Sequence, residues 1–424
     1  MAYLINNIVR KAQFEKIYSM LISALVFFRF HVTNFEWSRF IWPYTELTKL
    51  SHKELFNDII FTVFKPFLHV EKIAGQICGY ECINYTNKIV WAVLVYLISY
   101  LIIKRLKEYF LYSKFKVLKF LSLIIIITFP FLIRSSSYGG VSDIIYTFGI
   151  LLLFVASQEF LIIKNKNNLF SRKYSSTKII LFVVTGIIFV DLSRPYGIFT
   201  IIFYILFSIF NKSYKIIFAS LLGLLIAMPY HVVHYNKTGN FILSNFTGCF
   251  LAEVHLPKEY VRPTQNDKSF ATQLEIHKVC DKAKQDIISE YFLDNPRLAL
   301  QNTVELNRLN RIIFPSAFNQ YKEIPKISTR TGIYEWSISV ILYVFYFSTI
   351  WIFLFNLSNS NISFLNKLII CLIVLLPLFS GIIANSGKEA LRHTLHYYVP
   401  ILFLSLQIGY FKIQKNNKFN IKSY

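Results

Sequence analysis

The chain has 424 residues, of which 54% are hydrophobic, 17% aromatic and 16% charged, and its formal net charge is +22. Soluble domains carry about 25% charged residues, so this low charge content and a mean hydropathy of +0.46 exclude an ordinary soluble domain. The positive charge does not indicate nucleic-acid binding, because lysine and arginine gather at the ends of apolar runs, where membrane topology explains them.

Ten apolar runs follow one another along the chain and are candidates for helices that cross about 30 Å of hydrocarbon, although several of them are short. They predict an all-α polytopic membrane protein, built as a bundle of about ten to twelve transmembrane helices. The runs lie near residues 17–32, 89–103, 117–133, 144–163, 179–190, 197–210, 216–234, 337–356, 364–384 and 395–411.

Basic residues mark one side of the membrane. Clusters follow the second run over 104–119, the fourth run over 164–178 and the last run over 412–422. By the positive-inside rule these segments and both termini are cytoplasmic. Two long loops, 33–88 and 235–336, therefore face outward. The abundance of Ile, Lys, Asn and Phe indicates an AT-rich bacterial genome and hence the inner, or plasma, membrane.

This topology gives three parts. Residues 1–234 form a transmembrane bundle that includes the first outer loop, residues 235–336 form a large outer loop, and residues 337–424 form C-terminal transmembrane helices with a basic tail.

The first outer loop contains one aspartate, Asp58. From Phe56 to Val70 apolar residues recur at helical spacing, which predicts a helix lying along the membrane interface. A partly desolvated carboxylate has a raised pKa and suits general-base chemistry. Asp58 is equally typical of a helix cap. Cys78 and Cys82 in this loop are compatible with a disulfide or with two thiols.

Two short outer turns also carry charge. Arg134 and Asp143 flank the turn between the third and fourth runs, and Ser142 and Asp143 have the residue types of helix N-caps. Arg194 follows the fifth run within the stretch Asp191–Gly197. Its guanidinium matches the oxygens of an anionic headgroup, or it pairs with Asp191. Placing charged groups at the ends of membrane helices costs free energy, so their presence there indicates a functional position.

The last outer turn places Arg392, His393 and His396 at the start of the final helix. Arg392 and His396 are four residues apart and share one helix face, which suits a lipid phosphate, although snorkelling also explains Arg392. No HExxH, P-loop, GxSxG or Rossmann glycine motif is present, and this excludes the common nucleotide hydrolases and zinc proteases.

The order of these motifs resembles the GT-C glycosyltransferases, and in particular the branch of protein O-mannosyltransferases and aminoarabinose transferases. The resemblance is carried by Asp58 in the first outer loop, Ser142 and Asp143 opening the fourth run, the stretches Leu192–Gly197 and Met228–Gly248, and Arg392 with Tyr397, Tyr398 and Pro400. The chain departs from the family at Asn57-Asp58, where the family usually has an acidic pair.

The resemblance implies transfer of a sugar from a polyprenyl-phosphate donor to a hydroxyl of a glycan, lipid or protein acceptor, with inversion at the anomeric carbon. It implies Asp58 and Asp143 as catalytic residues. It further implies substrate binding by Arg134, Arg194, Tyr196, Arg392, His393 and His396. No metal site or cofactor is predicted, and a divalent cation is left open.

Two other functions fit a polytopic chain with a large outer loop. An O-antigen polymerase or ligase would depend on arginine and histidine of the late outer loop and not on Asp58. A transporter of lipid-linked glycans would favour internal repeats and broken helices, whereas this sequence shows no repeat and about a hundred consecutive outer residues over 235–336.

Overall fold

The computed structural model is mostly helical in the part of the chain that it describes. It describes residues 13–28, 48–49, 51–57, 64–113, 115–136, 141–157, 176–241, 243, 278–282, 285, 287, 293, 296–297, 301, 305–315, 330–360, 362–384 and 394–421, and no strand occurs among them. The helices are α1 (Phe14–Phe28), α2 (His52–Phe56), α3 (Lys65–Cys78), α4 (Tyr80–Tyr112), α5 (Lys116–Ser136), α6 (Val141–Ala156), α7 (Ser176–Ser193), α8 (Gly197–Phe210), α9 (Tyr214–Thr238), α10 (Leu306–Ile313), α11 (Arg330–Ser358), α12 (Phe364–Ala384) and α13 (Thr394–Ile421).

Each of the ten apolar runs lies on one of these helices as far as its residues are described, which agrees with an all-α membrane protein. Four helical segments in the described part of the chain are long and apolar enough to cross a membrane, namely Tyr80–Leu111, Lys116–Ser135, Tyr214–Thr238 and Trp336–Ser358. Val141–Ala156, Gly197–Phe210 and Phe364–Ser380 are apolar but shorter. The total of ten to twelve spans stays a prediction.

Helix α6 lies at the centre of the bundle. It is apolar on all sides, which is typical of a helix enclosed by other helices, and it packs against α4, α7 and α13. Its two first-turn polar residues, Ser142 and Asp143, are buried with it. The helix begins at Val141, so Ser142 and Asp143 lie inside its first turn rather than at the N-cap position.

The first predicted outer loop is more helical than its apolar spacing suggested. The expected interfacial helix over 56–70 is divided into α2, which ends at Phe56, and α3, which begins at Lys65. Proline is favoured in the first turn of a helix and disfavoured inside one, so Pro66 fixes the start of α3. Ser51 and Glu54 form a reciprocal capping box at the start of α2.

Two disulfides involve described cysteines. Cys78 is bonded to Cys82 across the break between α3 and α4, where Gly79 adopts a positive φ of 79°. Cys280 is also disulfide-bonded, whereas Cys371 in α12 is a free thiol. The sequence had left the state of Cys78 and Cys82 open.

The bundle has two chemically different ends. We call one the Asp143 end; it contains the last turns of α5, α7 and α9 and the first turns of α6, α8 and α13. We call the other the Arg105 end; it contains the last turns of α4 and the start of α1, where Lys107 and Glu15 form an ion pair with 2.9 Å between Nζ and Oε2.

Candidate functional site

Close packing of α6 against α7 brings the functional groups of the Asp143 end together. A Cβ on Gly149 would lie 3.0 Å from the carbonyl oxygen of Gly186, and the reverse distance is also 3.0 Å. Small residues allow two helix backbones to approach this closely. Because Asp143 lies less than two turns from Gly149 in α6, this contact fixes the side chain of Asp143 against the end of α7.

Arg194 forms an ion pair with Asp143 at this position. The carboxylate of Asp143 is fully buried, and 17% of the Arg194 side chain is exposed. Nδ1 of His396, in the first turn of α13, lies 3.2 Å from Oδ1 of the same aspartate. A carboxylate is expensive to bury unless it is paired, so the ion pair with Arg194 stabilises Asp143, and the ring of His396 lies beside the same carboxylate.

Aromatic rings surround this ion pair. The ring of Tyr196 lies 5.2 Å from that of Tyr146 and 6.1 Å from that of His396, measured between centroids. The hydroxyl groups of Tyr146 and Thr200 are hydrogen-bonded at 3.0 Å. These contacts hold the ring of Tyr196 beside the guanidinium of Arg194, which lies two residues earlier in the α7–α8 turn.

The α7–α8 turn is itself sterically fixed. A Cβ on Gly197 would lie 2.0 Å from the carbonyl oxygen of Val190. No side chain fits there, so glycine permits the sharp reversal that carries Arg194 and Tyr196.

A second charged pair lies next to the first. Nε2 of His231 in α9 is 2.7 Å from Oδ2 of Asp191, and Nδ1 of the same ring is 2.8 Å from the carbonyl oxygen of Phe241. Both side chains are almost completely buried, with 6% of His231 and 1% of Asp191 exposed. The sequence had suggested Arg194 as the partner of Asp191, but the ion pairs are Arg194 with Asp143 and His231 with Asp191.

Sequence reasoning did not select His231 as a functional residue. A signal was present, because an ionisable residue inside a candidate membrane span marks a functional position by default. The signal was hidden by the 40 residues that separate His231 from Asp191 along the chain.

A small recess of about 10 Å³, with room for roughly one water molecule, lies beside Arg194 and the Asp191–His231 pair. The surface that it exposes is apolar, and its lining residues are Asp191, Arg194, Pro195, Ile198, His231, Phe241 and Leu243.

The first predicted outer loop packs against this end of the bundle. The ring of Phe56 lies 4.9 Å from that of Tyr230, and the ring of Phe64 lies 5.5 Å from that of Phe189. Tyr230 directly precedes His231. The loop segments on both sides of residues 58–63 therefore contact α7 and α9, the helices that carry the Asp191–His231 pair.

One carboxyl of this loop region was not selected from the sequence. Glu71 in α3 is 2% exposed. Burial raises the pKa of its carboxyl group to about 7, an effect partly offset by Asn87. Burial of its carboxyl on an amphipathic helix is the feature that distinguishes Glu71. Helical spacing in the sequence does not show which face of that helix is covered, so the sequence could not reveal this burial.

The remaining predicted site residues are divided between this end and the undescribed segments. Arg134 lies over the ring of Tyr334 at the start of α11, 4.6 Å from the ring centroid. Asp58, Arg392 and His393 lie outside the described residues. The structure thus brings together Asp143, Arg194, Tyr196 and His396, and their roles in substrate binding or catalysis stay predictions.

Metal-ligating side chains form no group of three or more among the residues that the structure describes. Comparison with known proteins gave no match to a protein-family model, a curated protein or a solved structure.

Proposed function

We propose that this protein is a membrane glycosyltransferase of the GT-C type, which moves a sugar from a polyprenyl-phosphate donor to an acceptor hydroxyl on the outer face of the membrane. The observation that supports this proposal is the meeting of Asp143, Arg194 and His396 at one end of the helical bundle. These residues are far apart in the sequence, and burying them together is costly for a bundle that needs only apolar contacts to fold.

Arg194 would hold the donor phosphate. A guanidinium has five N–H donors in a planar fork, so it can serve Asp143 and a phosphate oxygen together. As the bond between the anomeric carbon and the phosphate oxygen breaks, negative charge develops on the departing polyprenyl phosphate. A positive group positioned beforehand lowers the barrier to that step.

The acceptor hydroxyl would attack the anomeric carbon from the face opposite the phosphate, and its proton would pass to a carboxylate. Asp58 and Asp143 are the carboxylates assigned to this chemistry by the family resemblance. A single displacement inverts the configuration of the sugar. Tyr146 and Tyr196 provide aromatic surface beside the reacting groups, suited to the boundary between lipid and water.

The disulfides support an outward-facing Asp143 end. Disulfides persist in oxidising compartments outside the cytoplasm, and Cys78, Cys82 and Cys280 all fall within the two loops expected to face outward. This agrees with cytoplasmic termini in a bacterial inner membrane.

Membranes that contain the full chain test the proposal by transfer of radiolabelled sugar from undecaprenyl-phosphate donors to endogenous acceptors. R194A is expected to lower transfer at least about a thousandfold, since removal of one transition-state donor costs about 10² to 10³ and the phosphate anchor is lost as well. R105A is the matched control. Arg105 is similarly buried and pairs with Glu108 at 2.8 Å, but it lies at the other end of the bundle.

Loss of transfer in R194A with activity kept in R105A would support the assignment. Equal losses in both variants, or no transfer by the parent chain with any donor, would overturn it.

Transport of a lipid-linked glycan is a second candidate, favoured by one observation. Asp143 and Asp191 are buried carboxylates at the ends of apolar helices, where transporters also place ionisable groups. A transporter reconstituted in vesicles would move the labelled lipid from one leaflet to the other without forming a new glycosidic bond. A glycosyltransferase forms the bond without that movement.

A further inference from the structure

Two segments that are distant in the chain meet at the end of the bundle opposite Asp143. Helix α8 begins at the Asp143 end and α9 returns to it, so the turn between these helices lies at the other end. There the side-chain amides of Asn211 and Asn366 form two reciprocal hydrogen bonds, with N–O distances of 3.2 and 3.0 Å. This amide pair ties the end of α8 to the start of α12. It therefore sets the relative position of the two residues that follow, Lys212 and Lys367.

We call residues 210–215 and 364–367 the Lys212 corner. It contains three lysines, Lys212, Lys215 and Lys367, and the helices α8, α9 and α12 contain no aspartate or glutamate. Lys212 and Lys215 are exposed, and Lys367 is half-buried. Three aromatic side chains within three residues of these lysines are more than half exposed: Phe210, Tyr214 and Phe364. Exposed rings next to lysines are typical of the boundary between hydrocarbon and lipid headgroups.

Lys212 has a backbone conformation that lysine rarely adopts. Its φ is 54°, in the left-handed region that favours glycine. The residue closes α8 in a Schellman motif, in which the amide of Ser213 donates to the carbonyl of Ser208 at 2.9 Å. The amide of Lys212 donates to the carbonyl of Ile209 at the same distance.

Glycine is the usual residue at this position of the Schellman motif. Membrane topology accounts for lysines on this side of the bundle, but it does not require one in a strained conformation. Strained residues cluster at ligand-binding positions, so the conformation of Lys212 indicates that its ammonium group has a function.

We infer that the Lys212 corner binds the phosphate headgroup of an anionic phospholipid in the leaflet on the predicted cytoplasmic side. Lysine binds phosphate as a compact point charge. Each basic group close to an anionic membrane surface strengthens the attraction about fivefold. The phosphate lies between Lys212 and Lys367, and the exposed rings contact the acyl chains. This site is separate from the Asp143 end and does not depend on the proposed function.

Native mass spectrometry of the purified full chain in an uncharged detergent tests this inference. The probes are phosphatidylglycerol, which is anionic, and phosphatidylcholine, which has no net charge, with the same acyl chains. The parent is expected to bind phosphatidylglycerol about a hundredfold more tightly than phosphatidylcholine, because three lysines contribute about fivefold each. Added salt should weaken this preference, since exposed charges are screened.

K212G removes the ammonium group and the backbone strain together. It is expected to lower the preference for phosphatidylglycerol about fivefold and to melt at the same temperature as the parent or above it. K367Q is expected to lower the preference by a similar factor with the turn unchanged. K88A is the matched control, because Lys88 lies 6.0 Å from the ring centroid of the exposed Tyr85 but near the start of α4, at the opposite end of the bundle.

A folded K212G or K367Q variant that keeps the full preference for phosphatidylglycerol would overturn the inference. An equal fall in K88A would do the same, because the attraction would then be general to lysines of this chain. A parent that binds the two lipids equally would also overturn it. Thermal melting of each variant establishes that it is folded.

Discussion

The two ends of the bundle use charge in different ways. At the Arg105 end the carboxylates are partly exposed, with side-chain exposures of 20% for Glu108 and 17% for Glu15, although their partner Arg105 is itself buried at 8%. Such pairs contribute little to stability and need no special environment.

At the Asp143 end the two carboxylates are buried, with side-chain exposures of 0% for Asp143 and 1% for Asp191. Each is paired with a basic group from another helix or turn. Replacing a buried ion pair with apolar residues is often neutral or stabilising, so folding alone does not require these charges. The comparison favours the Asp143 end as the place where the proposed chemistry should be tested.

The largest difference between the ends is expected when one cation is removed from each. R194A leaves the fully buried Asp143 without its guanidinium and should lower the free energy of unfolding by about 3–5 kcal/mol. R105A leaves a partly exposed carboxylate, Glu108, which water can hydrate, so it should lower the free energy of unfolding by less, about 1 kcal/mol. Chemical or thermal unfolding of the detergent-solubilised variants measures both, and similar losses would remove the distinction between the ends.

Glu71 gives the next largest effect, and it depends on pH. Burial raises the pKa of its carboxyl from 4.5 to about 7 in the folded chain. Between these values the folded protein holds a proton that the unfolded chain releases. The contribution of the protonated Glu71 carboxyl to the free energy of unfolding is therefore complete below pH 4.5, and it is lost as the pH rises through 7.

E71Q removes this dependence, because its amide does not ionise. The variant should match the parent near pH 4 and exceed it by up to about 3 kcal/mol above pH 8. Melting curves from pH 4 to 8.5 measure the difference in stability between the parent and E71Q. Parallel pH responses of the two proteins would contradict the prediction.

Glycine substitutions at the two ends sharpen the comparison at intermediate size. A Cβ at Gly149 would crowd α7, and a Cβ at Gly409 would lie 2.4 Å from Cε2 of Tyr109. Overpacking of this kind costs about 1–3 kcal/mol, so G149A and G409A should lose similar stability. G149A alone should also reduce sugar transfer, because it displaces Asp143 from α7. Retained transfer in G149A would argue against that positioning role.

The smallest expected effect comes from removing one tyrosine hydroxyl at each end. Tyr146 is hydrogen-bonded to Thr200 at 3.0 Å, and Tyr109 donates to Asn356 at 2.8 Å. Y146F and Y109F should each lower the free energy of unfolding by about 1 kcal/mol. Transfer should fall several-fold in Y146F and stay unchanged in Y109F, as measured in the same membranes. An equal fall in transfer in Y146F and Y109F would show that the loss comes from reduced stability and not from a role of Tyr146 in the site.

Several features of the fold followed from the sequence, because they depend on local patterns. The apolar runs located the long helices. In the structure, the Ser51–Glu54 capping box explains where α2 begins, and Pro66 explains where α3 begins. Helix α4 begins at Tyr80, ahead of the apolar run predicted from residue 89. Polar residues in its first turns obscured the helical period there.

The sequence by itself determined that this is a helical membrane chain and that Asp143, Arg194, Tyr196 and His396 are polar or aromatic residues at the ends of apolar helices. Only the tertiary structure decided their partners. Arg194 pairs with Asp143, which lies 51 residues earlier in the chain. His231 pairs with Asp191, which lies 40 residues earlier. These pairings depend on how closely α6, α7 and α9 pack, and that closeness is set by glycines whose role is visible only when two helix backbones lie side by side.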